Sequence, residues 1–285
     1  MTEETDMNDK IEKIGNFTVQ HGKHNNRIYL TKFSWENFPA AISQLDILAG
    51  TNGYTKILAK VPALALTPFV QNNYVIEAFV PGYYNNTEDC IMVSKFFSKL
   101  RSEKPVQDLS EFYNLSAKIE NNGEIKYRHS LKFLIRILNS NDVGQITDVY
   151  KKVFETYPFP VFEPRYILKT MEDKSVHYFG IFDKTKLIGI SSAEIDVANK
   201  NAEMTDFAIL PEYRGQNMGY KLLNIMENEM KALNIKTLYT IARLKSPGIN
   251  IIFLKNGYKL SGFLINNTNI SGKIESMNVY YKSLL

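Results

Sequence analysis

The sequence predicts an α/β protein whose main sheet is mixed, mostly antiparallel, and flanked by helices. Three observations carry this. Stretches of period-two apolar alternation take turns with stretches of helical spacing along most of the chain. Two apolar runs, 176–182 and 187–195, are joined by the charged turn Asp183-Lys184-Thr185-Lys186, the pattern of an antiparallel hairpin. A third run, 203–210, leads through a loop marked by proline and glycine into a long amphipathic stretch, so strand, loop and helix stand back to back.

Size and charge bound the possibilities. With 285 residues, 44% of them hydrophobic, the chain has room for two ordinary domains. A net charge of +4 from scattered Lys and Arg argues against nucleic-acid binding and suits an anionic small molecule. The single cysteine, Cys90, excludes an internal disulfide framework, fits a reducing cytosol and reads as a small buried residue. The opening MTEETDMNDK is polar and acidic, unlike a signal peptide. The most apolar run, 57–70, is interrupted by Lys60, Pro62 and Pro68 and is too short to cross a bilayer. A cytoplasmic protein without membrane contact is the expectation.

Along the first third, Arg27-Ile28-Tyr29-Leu30-Thr31-Lys32-Phe33 alternates as a strand, and 36–49 switches to helical spacing with Pro39 in its first turn. A strand at 54–61, a short helix at 63–72, a strand at 74–80 and a helix at 88–100 follow. His21 and His24 have no cysteine or paired carboxylates nearby to complete a metal site, so no metal is expected. Between 104 and 127 the chain turns polar, with Pro105, Asn121-Asn122 and Gly123, which divides it into domains 1–125 and 126–285.

The second domain opens with a strand at 131–138 and a helix capped by Asn141 or Asp142 that runs to about residue 156. The segment Tyr157-Pro158-Phe159-Pro160-Val161-Phe162-Glu163-Pro164 stops it, and a helix at 165–171 follows. After the hairpin and third strand, Met218, Leu222, Met226 and Met230 fall four apart as a core-facing stripe. A strand at 236–242, a short helix at 247–256 and strands at 258–265 and 274–281 complete the chain.

Residues 202–223 read AEMTDFAILPEYRGQNMGYKLL. A helix begins with four unpaired N–H groups and a partial charge of about +0.5, so a loop closing onto its first turn can cradle a phosphate. Gly215 and Gly219 let the backbone approach, Asn217 tolerates the left-handed conformation, and Arg214 adds a fork of donors. The run Arg214-Gly215-Gln216-Asn217-Met218-Gly219 resembles the acetyl-CoA-binding signature of the GNAT superfamily of N-acetyltransferases, with Asn217 where that family usually has glycine. The order of elements from 131 onward resembles the GNAT fold as well.

The resemblance implies acetyl-CoA as co-substrate, bound by Arg214, Gly215, Gln216, Asn217, Met218, Gly219 and Tyr220, with Asn250 and Phe253 at positions that reach it. It implies that the backbone of Phe207, Ala208, Ile209 and Leu210 binds the pantetheine arm and polarises the thioester carbonyl. Glu203 falls where several members carry their general base. Asp206 is the second choice, three residues on and therefore on the other face unless a bulge re-aims the strand. Phe253 stands where many members place a tyrosine that protonates the departing sulfur; a thiol pKa of about 8.5 lets CoA leave as thiolate without it. In that family the joint between the first two helices borders the acceptor site, so the resemblance makes Phe159, Phe162 and Glu163 candidate substrate contacts, with a rigid packed turn as the alternative.

Two further likenesses concern the whole chain. Ala59-Lys60 and Phe69-Val70-Gln71-Asn72-Asn73-Tyr74 shadow Ala242-Arg243 and Phe253-Leu254-Lys255-Asn256-Gly257-Tyr258, so the N-terminal domain resembles a degenerate half GNAT lacking the glycine-bracketed loop. Lys56-Ile57-Leu58-Ala59-Lys60-Val61-Pro62-Ala63, Glu77-Ala78-Phe79-Val80-Pro81-Gly82-Tyr83-Tyr84 and Asn269-Ile270-Ser271-Gly272-Lys273-Ile274-Glu275-Ser276-Met277-Asn278-Val279 resemble the β-lysine N6-acetyltransferases over nearly the full length. Those enzymes acetylate the terminal amine of β-lysine to give the compatible solute Nε-acetyl-β-lysine. Such an acceptor needs a cation for its carboxylate, for which Arg243 is the candidate, and an anion for its second ammonium, for which Glu163 or Asp206 is, with a salt bridge as the alternative for each. The likeness adds a lysine 2,3-aminomutase as pathway partner, and a homodimer is left open. The alternatives are acetylation of another small amine, such as an amino acid, polyamine or antibiotic, and a non-catalytic acetyl-CoA-binding sensor.

Overall fold

The computed structural model describes residues 9–121 and 133–284. The boundary expected at 125/126 and the first residues of the strand expected at 131–138 lie outside the described residues.

The N-terminal part runs β1 (Lys10–Ile14), β2 (Phe17–Gly22), β3 (Arg27–Lys32), α1 (Ala41–Asn52), β4 (Lys56–Pro62), α2 (Leu66–Gln71), β5 (Val75–Tyr84), β6 (Glu88–Phe96), α3 (Lys99–Ser102) and α4 (Val106–Asn121). The C-terminal part runs β7 (Leu134–Ile137), α5 (Val143–Val153), α6 (Pro164–Glu172), β8 (Val176–Asp183), β9 (Lys186–Asp196), β10 (Asn201–Ile209), α7 (Met218–Ala232), β11 (Thr237–Arg243), α8 (Pro247–Lys255), β12 (Lys259–Ile270) and β13 (Lys273–Ser283).

Four expectations for the N-terminal part need correction. The helix expected at 88–100 is strand β6, because Ile91, Met92 and Val93 stand between β4 and β5 and pair with both. Pro39 precedes α1 instead of opening it: residues 35–40 form turns over an aromatic cluster in which Phe38 stacks on Phe69 at 5.9 Å, and the Phe38–Pro39 peptide is cis. Strands β1 and β2 precede the first expected strand. His21 lies in β2, buried, with its ring nitrogens 3.0 Å from the Tyr54 hydroxyl and 2.7 Å from Glu12. The polar stretch expected to separate the domains contains α4, whose Phe112 meets Phe263 edge-on at 5.7 Å.

The strands form two sheets, one ordered β1-β2-β3-β4-β6-β5 and the other β12-β13-β11-β10-β9-β8-β7. Among the described residues, only β3/β4 and β10/β11 pair in parallel; the other pairings are antiparallel. The orders match strand for strand: β1-β2-β3-β4-β6-β5 repeats the arrangement β8-β9-β10-β11-β13-β12. The helices match too, with α1 and α2 standing where α7 and α8 stand.

Strand alternation in β4 shows how the sheets meet. Ile57, Ala59 and Val61 point into the core under α1 and α2, with Leu45 and Phe69. The alternate positions, Lys56, Leu58 and Lys60, face the other sheet, where Leu58 joins a core with Tyr239, Leu264, Met277 and Val279. The two sheets therefore stack on each other, and the core of the second sheet's helices lies on its far side, built around residues such as Tyr150, Met226 and Phe253. The approach is close. A Cβ on Gly262 would sit 2.1 Å from the Glu77 carbonyl and 2.8 Å from Ala78 Cα, so only glycine fits there. Lys56 Nζ donates to Glu77 Oε2 at 2.7 Å and to the Ile265 carbonyl at 2.8 Å, and the Ile265 N–H donates to Glu77 Oε1 at 2.7 Å. Arg27 and Arg101 both donate to the Asn267 carbonyl, at 2.8 and 3.3 Å.

Candidate active site

β10 pairs with β11 only over residues 201–203 and 237–239. Beyond Glu203 and Tyr239 the two strands part, and a cavity of about 1530 Å³ opens along the split and on toward the N-terminal sheet. Parting strands leave backbone groups without ladder partners. The Leu210 N–H is taken by the Ile188 carbonyl at 3.0 Å, so alternation turns the Ile209 amide toward the opening. Phe207 and Ile209 line the cavity, while Ala208 and Leu210 are buried behind it.

The loop after β10 builds the other end of the cavity. Gly215 (φ +77) and Asn217 (φ +60) both adopt the left-handed region, and Asn217 caps α7, whose fifteen residues begin at Met218. Arg214 Nε donates to the Ile209 carbonyl at 3.2 Å and ties the loop to the strand. Arg214, Gly215, Asn217, Met218, Gly219 and Tyr220 line the cavity; Gln216 does not. Gly219 also meets α8, since a Cβ there would lie 2.4 Å from the terminal Cδ1 of Ile252, which would have to swing aside.

On α8, Phe253 lines the cavity with its ring edge-on to Phe207 at 5.6 Å and stacked on Tyr280 at 5.9 Å. Asn250 turns the other way. Its Nδ2 donates to the carbonyls of Arg243 (3.2 Å) and Leu244 (3.0 Å), and its Oδ1 accepts from Asn278 Nδ2 (2.9 Å) and the Tyr280 hydroxyl (3.0 Å). Fully buried and with these bonds made, it fastens α8 to β11 and β13 instead of reaching a cofactor.

Three carboxylates meet in the cavity. Glu203 lies directly opposite Glu194 of β9, and a bulge between Thr205 and Ala208 puts Asp206 at φ +56. The bulge re-aims Asp206. Its carboxylate accepts from the hydroxyls of Tyr157, Ser192 (2.5 Å) and Thr205 (3.3 Å). Burial raises the pKa of all three. Glu194 is pushed up to about 8 by burial and by the neighbouring charges of Glu203 and Asp206. Glu203 is raised by burial against the opposing pull of Lys60 and a hydrogen bond from Tyr239. Asp206 is raised by burial, and its hydroxyl partners hold it down.

Of the expected acceptor contacts, Phe159 and Arg243 line the cavity, and Phe162 and Glu163 do not. Glu163 is exposed at the start of α6. The Arg243 guanidinium is held by Glu275 through bonds of 3.0 and 2.9 Å, so its fork is already occupied. Sequence reading passed over Glu194, Tyr157 and Tyr239, and over Lys60, Tyr29 and Tyr83 of the N-terminal sheet, all of which line the same cavity. Their signal is strand register and sheet stacking, which no single stretch of sequence displays.

The model of the GNAT acetyltransferase family matches residues 144–250. The chain is 39% identical over 275 residues to the β-lysine N(6)-acetyltransferase of Methanococcus maripaludis, covering 96% of this chain and 98% of that one. It is 37% identical over 213 residues to the N-acetyltransferase YodP of Bacillus subtilis, covering 73% and 74% of the two chains. A second β-lysine N(6)-acetyltransferase, from Methanosarcina mazei, is 29% identical over 267 residues, with 87% and 98% covered. With the parted strands, the capped loop and the acidic cluster in place, the chain is an acetyltransferase and belongs to the β-lysine N(6)-acetyltransferase family of the GNAT enzymes.

Proposed function

We propose that the protein transfers the acetyl group of acetyl-CoA to N6 of β-lysine. The observation that carries this reading is the position of Glu203, Glu194 and Asp206 where β10 leaves β11, beside the open backbone at Ile209. The loop from Arg214 to Tyr220 receives the CoA phosphates: nothing lies within 4 Å of the Cβ position of Gly215, and the first amides of α7 face that space. The Phe207 to Leu210 stretch takes the pantetheine arm, with the Ile209 amide aimed at the thioester oxygen.

An amine of pKa about 10.4 is only about one part in 2,500 neutral at pH 7, a deficit of about 4.6 kcal/mol unless a base removes the proton. Glu203 takes that proton. Its buried carboxylate is raised toward the range where a base works best. The amine then attacks the thioester carbonyl and CoA leaves as thiolate. Phe253 has no hydroxyl to protonate it, and a thiol of pKa about 8.5 does not require one. Phe253 packs against Phe207 and dries the site.

On this reading the product, Nε-acetyl-β-lysine, serves as a compatible solute, a lysine 2,3-aminomutase supplies the acceptor, and the enzyme works in the cytoplasm beside its acetyl-CoA. We also read residues 1–125 as a degenerate copy of 126–285, supported by the matching strand orders. CoA release with β-lysine, α-lysine and spermidine tests the reading. β-Lysine is expected to be the best acceptor by kcat/KM. Tight acetyl-CoA binding with no turnover of any amine overturns it in favour of a sensor.

A further inference from the structure

Lys60 is a buried ammonium on the wall that the N-terminal sheet contributes to the acetyltransferase cavity. Alternation in β4 turns Lys56, Leu58 and Lys60 toward the second sheet, and the two lysines differ sharply in how their charge is met. Lys56 has Glu77 at 2.7 Å and the Ile265 carbonyl at 2.8 Å. Lys60, 8% exposed, has the Tyr239 hydroxyl at 3.3 Å, and among the described residues no carboxylate lies within 4.0 Å of its ammonium. The rings of Tyr29, Tyr239 and Tyr83 surround it at 5.4, 5.5 and 5.9 Å. A lysine ammonium has three donors, and burying one with its hydrogen bonds incomplete is costly. Rings facing a cation stabilise it and fix its place, but they accept none of its N–H bonds in line.

The internal repeat sharpens the contrast. Lys60 in β4 corresponds to Arg243 in β11, and both line the cavity. Arg243 is neutralised by Glu275. Lys60 faces Glu203 and Glu194 closely enough to lower the pKa of both, without closing an ion pair on either. A β-amino acid with a terminal amine carries two ammonium groups and one carboxylate. The cavity offers the complement, three acidic side chains, of which Glu194 is held protonated near neutral pH, and one incompletely bonded ammonium.

We infer that Lys60 is a specificity-determining residue that receives the acceptor's carboxylate, leaving Glu194, Glu203 and Asp206 to its two nitrogens, so that the enzyme selects a diamino acid over a plain diamine. The inference rests on acetyl transfer to β-lysine and does not depend on which carboxylate is the base. Tyr239 orients Lys60 from the C-terminal side, and Tyr29 and Tyr83 keep water from it. The N-terminal domain is thereby part of the acceptor site.

The test compares β-lysine with 1,4-diaminopentane, which is β-lysine without its carboxylate, using the full-length enzyme. Removing one partner of a buried charge pair typically costs enough to predict that wild type prefers β-lysine by on the order of 100-fold in kcat/KM. Lys60→Met should erase most of that preference by raising KM for β-lysine far more than for 1,4-diaminopentane, any change in kcat through Glu203 being common to both acceptors, and Lys60→Arg should retain most of it. Equal losses on both acceptors, in a variant that still binds acetyl-CoA, overturn the inference and make Lys60 a partner of Glu203 alone. Wild-type enzyme that acetylates the two equally well overturns it without any variant. No acetylation of β-lysine by wild type instead removes the functional reading on which the inference stands.

Discussion

Glu194 and Glu203 sit side by side on neighbouring strands, and like charges opposite one another repel. Burial adds to the repulsion, and Glu194 keeps its proton up to about pH 8. In the unfolded chain the same carboxyl titrates at about 4.3, so between these values the folded state holds more protons and stability falls as pH rises. Urea midpoints at pH 5.5 and 8.5 should show the decline in wild type and a smaller one in Glu194→Gln. For catalysis, Glu203→Gln should lower kcat at pH 7 by on the order of 100-fold and recover with rising pH as the amine frees itself; a flat profile would remove Glu203 from the base role. Sequence and family likeness put Glu203 and Asp206 on one strand beside the loop. They did not show Glu194, whose importance depends on the β9/β10 register, while the bulge that turns Asp206 inward was named only as the condition for its role. Asn250 shows the opposite limit: the residue type matches a family position, yet its amide is used within the fold.

At the scale of elements, Gly219 lies where α7 meets α8. Gly219→Ala brings a methyl against Ile252 Cδ1, the far end of a half-buried side chain that can swing aside. The better helix propensity of alanine, about 1 kcal/mol, offsets what strain is left, so a nearly unchanged urea midpoint is expected. Gly219→Val, which is bulkier and β-branched, should lower the midpoint, and Gly219→Val/Ile252→Ala should restore it. If Gly219→Ala is as stable as wild type but binds acetyl-CoA poorly, the glycine serves the phosphate. Elements with one apolar face were readable from spacing, as the buried Met218, Leu222, Met226 and Met230 of α7 show. β6 was not, because a strand with Ile91, Met92 and Val93 in succession has no alternation to distinguish it from a buried helix. α4 was hidden for the converse reason: Leu109 and Phe112 supply its packing inside an otherwise polar stretch.

Across the whole molecule, Lys56, Glu77 and the backbone of Ile265 join the two sheets with no exposure of Lys56 to solvent. Removing one member of a buried ion pair typically costs about 3–5 kcal/mol, whereas replacing both with apolar groups is often neutral. Glu77→Gln should therefore lower the urea midpoint strongly, and Lys56→Met/Glu77→Leu should recover only part of that loss, because the Ile265 N–H and carbonyl then lose their partners; an unchanged midpoint in Glu77→Gln would mean that packing, not charge, joins the sheets. The stacking itself was beyond sequence reading. Lys56 and Lys60 look like the solvent side of a strand, and only the second sheet makes that side an interior. The shared cavity has a consequence for how such an enzyme changes over time. Its loop and split strands, proposed to handle acetyl-CoA, belong to one sheet, while the Lys60 wall belongs to the other. On the proposed reading, substitutions along β3, β4 and β5 retune which amine is accepted while the donor machinery stays untouched, so the N-terminal sheet serves as an interchangeable gauge for the second.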